Sequence, residues 1–199
     1  MRASILHSQR LIVVVGPSGA GKDSVLGAWR QRVAAQRVHF AQRVITRPCD
    51  ASEAHEPVTL DQFTALRDSG ELATCWHANG LHYGLRWREI AALSAGGWVV
   101  VNGSRAHLGT LRQQAPLLHA IEITASAALR AQRLARRGRE DAAAVAKRLQ
   151  RHVPVEVAIA VRNDGELSAA VDALHRWWRA QAVQPASDGA FGPNYEWKQ

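Results

Sequence analysis

Leu11-Ile12-Val13-Val14-Val15-Gly16-Pro17-Ser18-Gly19-Ala20-Gly21-Lys22-Asp23-Ser24 decides the fold. Five apolar, mostly β-branched residues read as a buried strand. Val25 to Gln36 reads as a helix. Between them the spacing fits G-x-x-x-x-G-K, the strand–loop–helix cradle for phosphate. The glycines let the backbone curl so that several N–H groups face one point. The helix adds the positive end of its dipole there. Lys22 brings a mobile full charge to the outer phosphates. The whole loop, Gly16, Pro17, Ser18, Gly19, Ala20, Gly21, Lys22, Asp23 and Ser24, is therefore the candidate phosphate-binding segment. The bland alternative is a tight turn with an unrelated lysine, which the flanking strand and helix disfavour. One residue departs from the pattern. A Ser or Thr hydroxyl that holds Mg²⁺ is expected after the lysine; here Asp23 stands there, with Ser24 next. A carboxylate is also a hard ligand for Mg²⁺, so Asp23 and Ser24 are the candidate metal ligands.

Working outward, the chain alternates strand and helix. Val38–Phe40 and Arg43–Thr46 are short β-type runs. Thr59-Leu60-Asp61-Gln62 fits a capping box opening a helix that ends near Gly70. Leu72–Ala78 alternates and runs into Asn79-Gly80, a hairpin signal, with Leu81–Gly84 returning. Arg86–Ala95 reads as helix, Trp98–Val101 as buried strand, His107–Gln114 as helix and Leu117–Ile123 as strand. Ser126 caps a basic helix reaching Arg137, and another runs from about Asp141 to His152. Val157–Val161 is the last strand and Leu167–Gln181 an amphipathic closing helix. Strands separated by helices imply an α/β fold, a parallel sheet flanked by helices, with ligands at the carboxyl ends of the strands. The antiparallel stretch does not suit that sheet and reads as an inserted lobe, roughly 43–87. Residues 1–184 form the expected domain, and 185–199 reads as a flexible tail.

The 199 residues suit one such domain, and 47% of them are apolar, enough for a large core. No run approaches the ~18 apolar residues of a membrane span, and the N-terminal stretch lacks an apolar signal core. Cys49 and Cys75 show no metal spacing and no disulfide framework. A cytoplasmic enzyme without membrane contact is the expectation. The formal charge is +8, and arginine dominates the 25 basic residues. No Lys/Arg block interleaves with aromatics, so nucleic acid is not the expected partner; a small polyphosphate suits Arg forks equally well. A coding bias toward Arg and Ala accounts for part of the charge. The sequence leaves the oligomeric state, a homodimer included, open.

The loop, then Ile45-Thr46-Arg47-Pro48, Gly80-Leu81-His82-Tyr83-Gly84 and Arg133-Leu134-Ala135-Arg136-Arg137-Gly138, taken in this order over roughly residues 10–180, resemble a guanylate-kinase-type P-loop kinase. The resemblance implies that Arg47 and Tyr83 contact the acceptor's phosphate from the inserted lobe. It places Arg133, Arg136, Arg137 and Arg139 in a lid, about 133–148, over the triphosphate, with Arg148 reaching in from the lid side. The departures bear on the acceptor. Asp50 stands where the guanylate kinases carry a second phosphate-binding arginine. Thr74 stands where they use a carboxylate to read guanine. His55 takes an aromatic position, and Asn102-Gly103-Ser104-Arg105 replaces acidic residues. A guanine edge needs an acceptor for its N–H groups, and Thr74 is a poor one.

Gly-Pro-Ser-Gly-Ala-Gly-Lys-Asp-Ser (16–24), Arg-Val-Ile-Thr-Arg-Pro (43–48) and Val-Asn-Gly-Ser-Arg (101–105) resemble one branch more closely. That branch is the ribose 1,5-bisphosphate phosphokinases, which make 5-phosphoribosyl 1-diphosphate with ATP in bacterial phosphonate catabolism. Asp23 belongs to its pattern. The resemblance implies ATP as co-substrate, Mg²⁺, and a small phosphorylated sugar as acceptor. A phosphate monoester is already largely ionised near neutrality, so the residues must supply charge and alignment rather than a general base. Lys22, Arg133, Arg137 and Arg148 are the catalytic candidates. Arg43 and Arg47 are candidates for the sugar phosphate, with Glu53, His55, Asn102 and Ser104 for ribose hydroxyls or water. Two other readings stay open: a guanylate or other nucleoside monophosphate kinase, and a non-catalytic guanylate-kinase-like binding module. Lys22 and the arginine-rich lid argue against the module.

Overall fold

A computed structural model of the chain describes residues 8–49, 54–137 and 154–183. Its centre is a sheet of five strands: β1 (Leu11–Val15), β2 (Val38–Phe40), β7 (Trp98–Asn102), β8 (His119–Thr124) and β9 (Ile159–Arg162). Their order is β2-β7-β1-β8-β9, and every pairing is parallel. β1 is buried along its whole length, as a central strand covered on both faces must be. Its alternate side chains enter two separate cores. Ile12 and Val14 pack with Val25, Trp29, Ile121, Leu174 and Trp178. Leu11, Val13 and Val15 pack with Ile90, Val99, Val101, Leu108 and Leu111.

The first core is closed by α1 (Lys22–Arg32) and α6 (Leu167–Val183), which lie against each other. The tryptophan pair at 177–178 divides as its position on an amphipathic helix requires. Trp178 is buried and edge-on to Trp29, whereas Trp177 is partly exposed and packs on His119. The second core is closed by α3 (Trp87–Ile90), the 3₁₀ turn Ala91–Ala95 that continues it, and α4 (Leu108–Gln114). The single helix expected over Arg86–Ala95 is thus half 3₁₀, ending at Gly96 with φ 69°.

The lobe is a second sheet, ordered β4-β3-β6-β5, built from β3 (Arg43–Ile45), β4 (Glu56–Pro57), β5 (Leu72–Ala78) and β6 (Leu81–Arg86). β5 and β6 form the hairpin, with Asn79 at φ 52° and Gly80 at φ 74°. Both turn residues are left-handed, the geometry that matches strand twist. α2 (Leu60–Asp68) starts on the expected capping box: Thr59 Oγ1 accepts from Gln62 N at 3.2 Å, and Thr59 N donates to Gln62 Oε1 at 2.8 Å. α5 (Ala127–Arg137) begins after Ser126, whose hydroxyl accepts from Leu129 N at 3.4 Å.

Candidate active site

The loop Gly16–Gly21 joins β1 to α1 at the carboxyl edge of the parallel sheet, where such sheets bind ligands. Its three glycines are all sterically required, with the closest approaches at Gly16 and Gly21. Gly16 has φ 149°, and a Cβ there would stand 2.1 Å from the Ile123 carbonyl oxygen. Gly21 has φ 82°, and a Cβ there would stand 2.4 Å from Asn163 Nδ2. Lys22 folds back over the loop, its Nζ donating to the carbonyls of Gly16 at 3.1 Å and Pro17 at 3.4 Å.

Two residues from distant parts of the chain hold this loop. Asn163, buried just beyond β9, donates from Nδ2 to Ala20 O at 2.8 Å. Arg133 on α5 donates to Gly19 O at 3.4 Å, Ala20 O at 3.3 Å and Asn163 O at 3.1 Å. One guanidinium therefore ties α5, the β9 exit and the phosphate loop together. Asp164 adds a link: its Oδ1 accepts from Ser126 N at 2.5 Å. That backbone hydrogen bond, helped by Arg162, holds the carboxyl below the usual Asp range. Arg133 was singled out in the sequence; Asn163 was not.

Asp23, in the first turn of α1, is partly buried and faces the end of β7. Asn102 Nδ2 donates to Asp23 Oδ1 at 2.7 Å. The amide oxygen of Asn102 is buried and has no hydrogen-bond partner among the described residues. Ser24 is exposed one position further round the helix. No cluster of three or more His, Cys, Asp or Glu is found among the described residues.

The same Asn102 anchors the lobe. Its backbone carbonyl accepts from Arg43 Nη1 at 2.9 Å. Arg43 is 9% exposed, unusual for an arginine, and its guanidinium lies 5.4 Å from the centre of the Tyr83 ring. Tyr83 and Trp76 are opposite one another on β6 and β5, and their rings stack at 5.4 Å with 6° between planes. The His107 ring stacks on Trp76 at 5.1 Å and 14°, and its Nε2 lies 2.9 Å from Thr74 Oγ1. Burial holds the His107 imidazole below its ordinary pKa. Asp23, Asn102, Arg43, Tyr83, Trp76, His107 and Thr74 thus form one continuous path from the phosphate loop across the lobe.

Arg47 follows β3 in a segment pinned at several points. His82 N donates to Thr46 Oγ1 at 2.9 Å, and the Cys49 thiol donates to His55 O at 3.0 Å. His55 is only 2% exposed and places Nε2 3.1 Å from the Arg47 carbonyl. His55 is thus packed against the segment that carries Arg47. Ser104 is half-buried in the turn after β7, where its carbonyl accepts from His107 N at 3.1 Å. Asp50, Glu53, Arg139, Arg148, the side chain of Arg137, most of the expected lid, the helix Asp141 to His152 and the tail 185–199 lie outside the described residues.

A nucleotide-type phosphate loop on a parallel sheet, facing an antiparallel lobe with a buried arginine, defines a guanylate-kinase-like P-loop kinase. The solved guanylate kinase of Anaplasma phagocytophilum shares this fold, with a TM-score of 0.67 at 16% identity over 89% of this chain and 88% of that one. No family model matches the chain. Curated relatives are closer. The chain is 42% identical over 181 residues to the ribose 1,5-bisphosphate phosphokinase PhnN of Pseudofrankia inefficax, spanning 89% of this chain and 95% of that protein. It is 42% identical over 170 residues to the enzyme of the same name from Burkholderia pseudomallei, covering 92% of it. The protein of that name from Laribacter hongkongensis is 47% identical over 181 residues, but the chain spans only 44% of its length. The chain belongs to the ribose 1,5-bisphosphate phosphokinase family and is a kinase with ATP as co-substrate. No helix among the described residues is long and apolar enough to cross a membrane.

Proposed function

We propose that the chain transfers the terminal phosphoryl group of ATP to the 1-phosphate of ribose 1,5-bisphosphate, giving 5-phosphoribosyl 1-diphosphate and ADP. The observation that carries this reading is the bridge Asp23–Asn102–Arg43–Tyr83, which sets a phosphate loop and a buried arginine at two ends of one short path. An oxygen of the acceptor phosphate attacks the γ-phosphorus. The bond from that phosphorus to the β–γ bridging oxygen breaks, and its electron pair leaves with ADP. The acceptor is mostly dianionic near pH 7, its second pKa lying near ~6, so no base is needed. What the chain supplies is positive charge and alignment.

In this reading the loop amides and Lys22 hold the donor phosphates. Lys22 now spends its charge on two loop carbonyls, which the outer phosphates of ATP would replace. Arg43 and Tyr83, with Arg47, hold the acceptor. Arg133 keeps the loop in shape, and Arg137 and Arg148 belong to the set that neutralises charge between the two anions. Mg²⁺, when bound, supplies charge between the outer phosphates. Asp23 and Asn102 would hold it: both offer oxygen, the donor it takes, and the Asn102 oxygen is buried without a partner among the described residues. Asp23 is better placed than the exposed Ser24.

The test is turnover with saturating ATP and Mg²⁺ against ribose 1,5-bisphosphate and GMP. We expect kcat/KM to favour the bisphosphate by roughly 10²-fold or more, the scale set by unmet hydrogen bonds at a base. A preference for GMP would instead make the chain a nucleoside monophosphate kinase.

A further inference from the structure

The lobe carries a feature that phosphate transfer does not use. Thr74 and Trp76 share one face of β5 by their two-residue spacing. Tyr83 stands beside Trp76 on β6. His107, ahead of the first turn of α4, reaches across from the parallel sheet. It lays its ring on Trp76 and brings Nε2 to Thr74 Oγ1. Thr74 is 7% exposed. The rings that stand next to Arg43 and Tyr83 are therefore stacked on one another. The nearby polar groups on this face, Thr74 Oγ1 and His107 Nε2, face each other.

The stack begins at Tyr83 itself, within reach of a ligand held by a phosphate at Arg43 and Tyr83. A nucleoside monophosphate has to place a flat base there, against an aromatic face and beside polar groups that can read its edge. Both are taken. A sugar bisphosphate carries no base and makes no such demand. We infer that the half-buried Trp76, locked by His107 and Thr74, is a plug that occupies the base position of this kinase and so sets its acceptor specificity toward base-free phosphates. The inference rests on the proposed acceptor site at Arg43 and Tyr83, and it adds a residue that excludes the wrong substrate rather than binding the right one. Burial favours the neutral His107 ring, so the lock is a stacked, hydrogen-bonded imidazole and not a cation offered to phosphate.

The experiment is Trp76→Ala and Trp76→Leu in the full chain, with binding of GMP and AMP read by calorimetry and turnover read separately. Parental protein should bind neither monophosphate measurably. In Trp76→Ala at least one should bind, and the kcat/KM ratio of ribose 1,5-bisphosphate to that monophosphate should fall at least ~10-fold. Trp76→Leu keeps apolar volume and should show the same gain more weakly, which covers the case in which the alanine variant does not fold. Folded variants with no gain in monophosphate binding overturn the plug. Loss of bisphosphate turnover without that gain also overturns it, and makes Trp76 a platform for the sugar. If the parent fails to phosphorylate ribose 1,5-bisphosphate, the proposed function falls; calorimetry on the variants still decides the plug, because it needs no turnover.

Discussion

Lys22 is a side chain in waiting. Its ammonium rests on two carbonyls of the loop it serves, at 3.1 and 3.4 Å. Those bonds are local, within six residues, and contribute little to packing. Lys22→Ala should therefore leave the melting temperature within a few degrees of the parent while lowering turnover at least ~100-fold, the scale of losing a preorganised electrostatic partner. Near-parental turnover in the folded variant would show that the loop does not hold the donor. At this scale the sequence was a good guide to Lys22 and the glycines, because their jobs depend on spacing along the chain. It gave no sign of Asn163. That side chain holds Ala20 across 143 residues of sequence, and nothing in an Asn-Asp-Gly turn announces such a partner. His55 was legible as a residue of interest, but its burial to 2% exposure was not, because that follows from how the segment after β3 folds onto it.

Among the elements, β4 is a short strand tied in by side chains. It has two residues, and it pairs in parallel with β3 at Val44↔Glu56 and Ile45↔Pro57. Glu56 is gripped by Arg86 of β6, with Nε to Oε2 at 2.9 Å and Nη2 to Oε1 at 2.5 Å, and by Arg88 at 3.0 Å. Arg86 also pairs with Glu71. The hydrogen bond from Arg86 holds the Glu56 carboxyl below the ordinary glutamate range. A carboxylate whose folded pKa is lowered adds stability in full above its unfolded pKa of about 4.3, and that stability is lost as pH falls through the folded value. Melts from pH 7 to pH 3 should therefore show a shallower acid loss for Glu56→Gln than for the parent, from a lower starting point at pH 7. Parallel curves would mean the fork adds nothing to the lobe. The strands and helices that the sequence marked, the capping box at Thr59 and the Asn79-Gly80 hairpin among them, are those whose causes are local. β4 was missed because two residues carry no period. The helix expected over Arg86–Ala95 tightened to 3₁₀ after Ile90 because the chain must turn at Gly96 and enter β7 against β1.

Over the whole molecule, the two sheets meet at the carboxyl end of β7, and Arg43 is one of the side chains that join them. Its Nη1 donates at 2.9 Å to the Asn102 carbonyl on the parallel-sheet side, while its guanidinium plane lies near Tyr83 on the lobe side. Asn102 in turn holds Asp23 beside the phosphate loop. A planar fork can serve a carbonyl, a ring and a phosphate together; an ammonium on a flexible stem is a point charge and cannot. Arg43→Lys keeps the charge and so isolates that geometry. We expect its kcat/KM for the sugar bisphosphate to fall about 10–100-fold, the range for losing one hydrogen bond to a charged group, with KM for ATP changed less than twofold. The split matters more than the size. An equal rise in both KM values, with a lowered melting temperature, would show that Arg43 only packs the junction. A fall confined to the acceptor, in a chain that melts like the parent, would show that the junction between the sheets is itself part of the acceptor site.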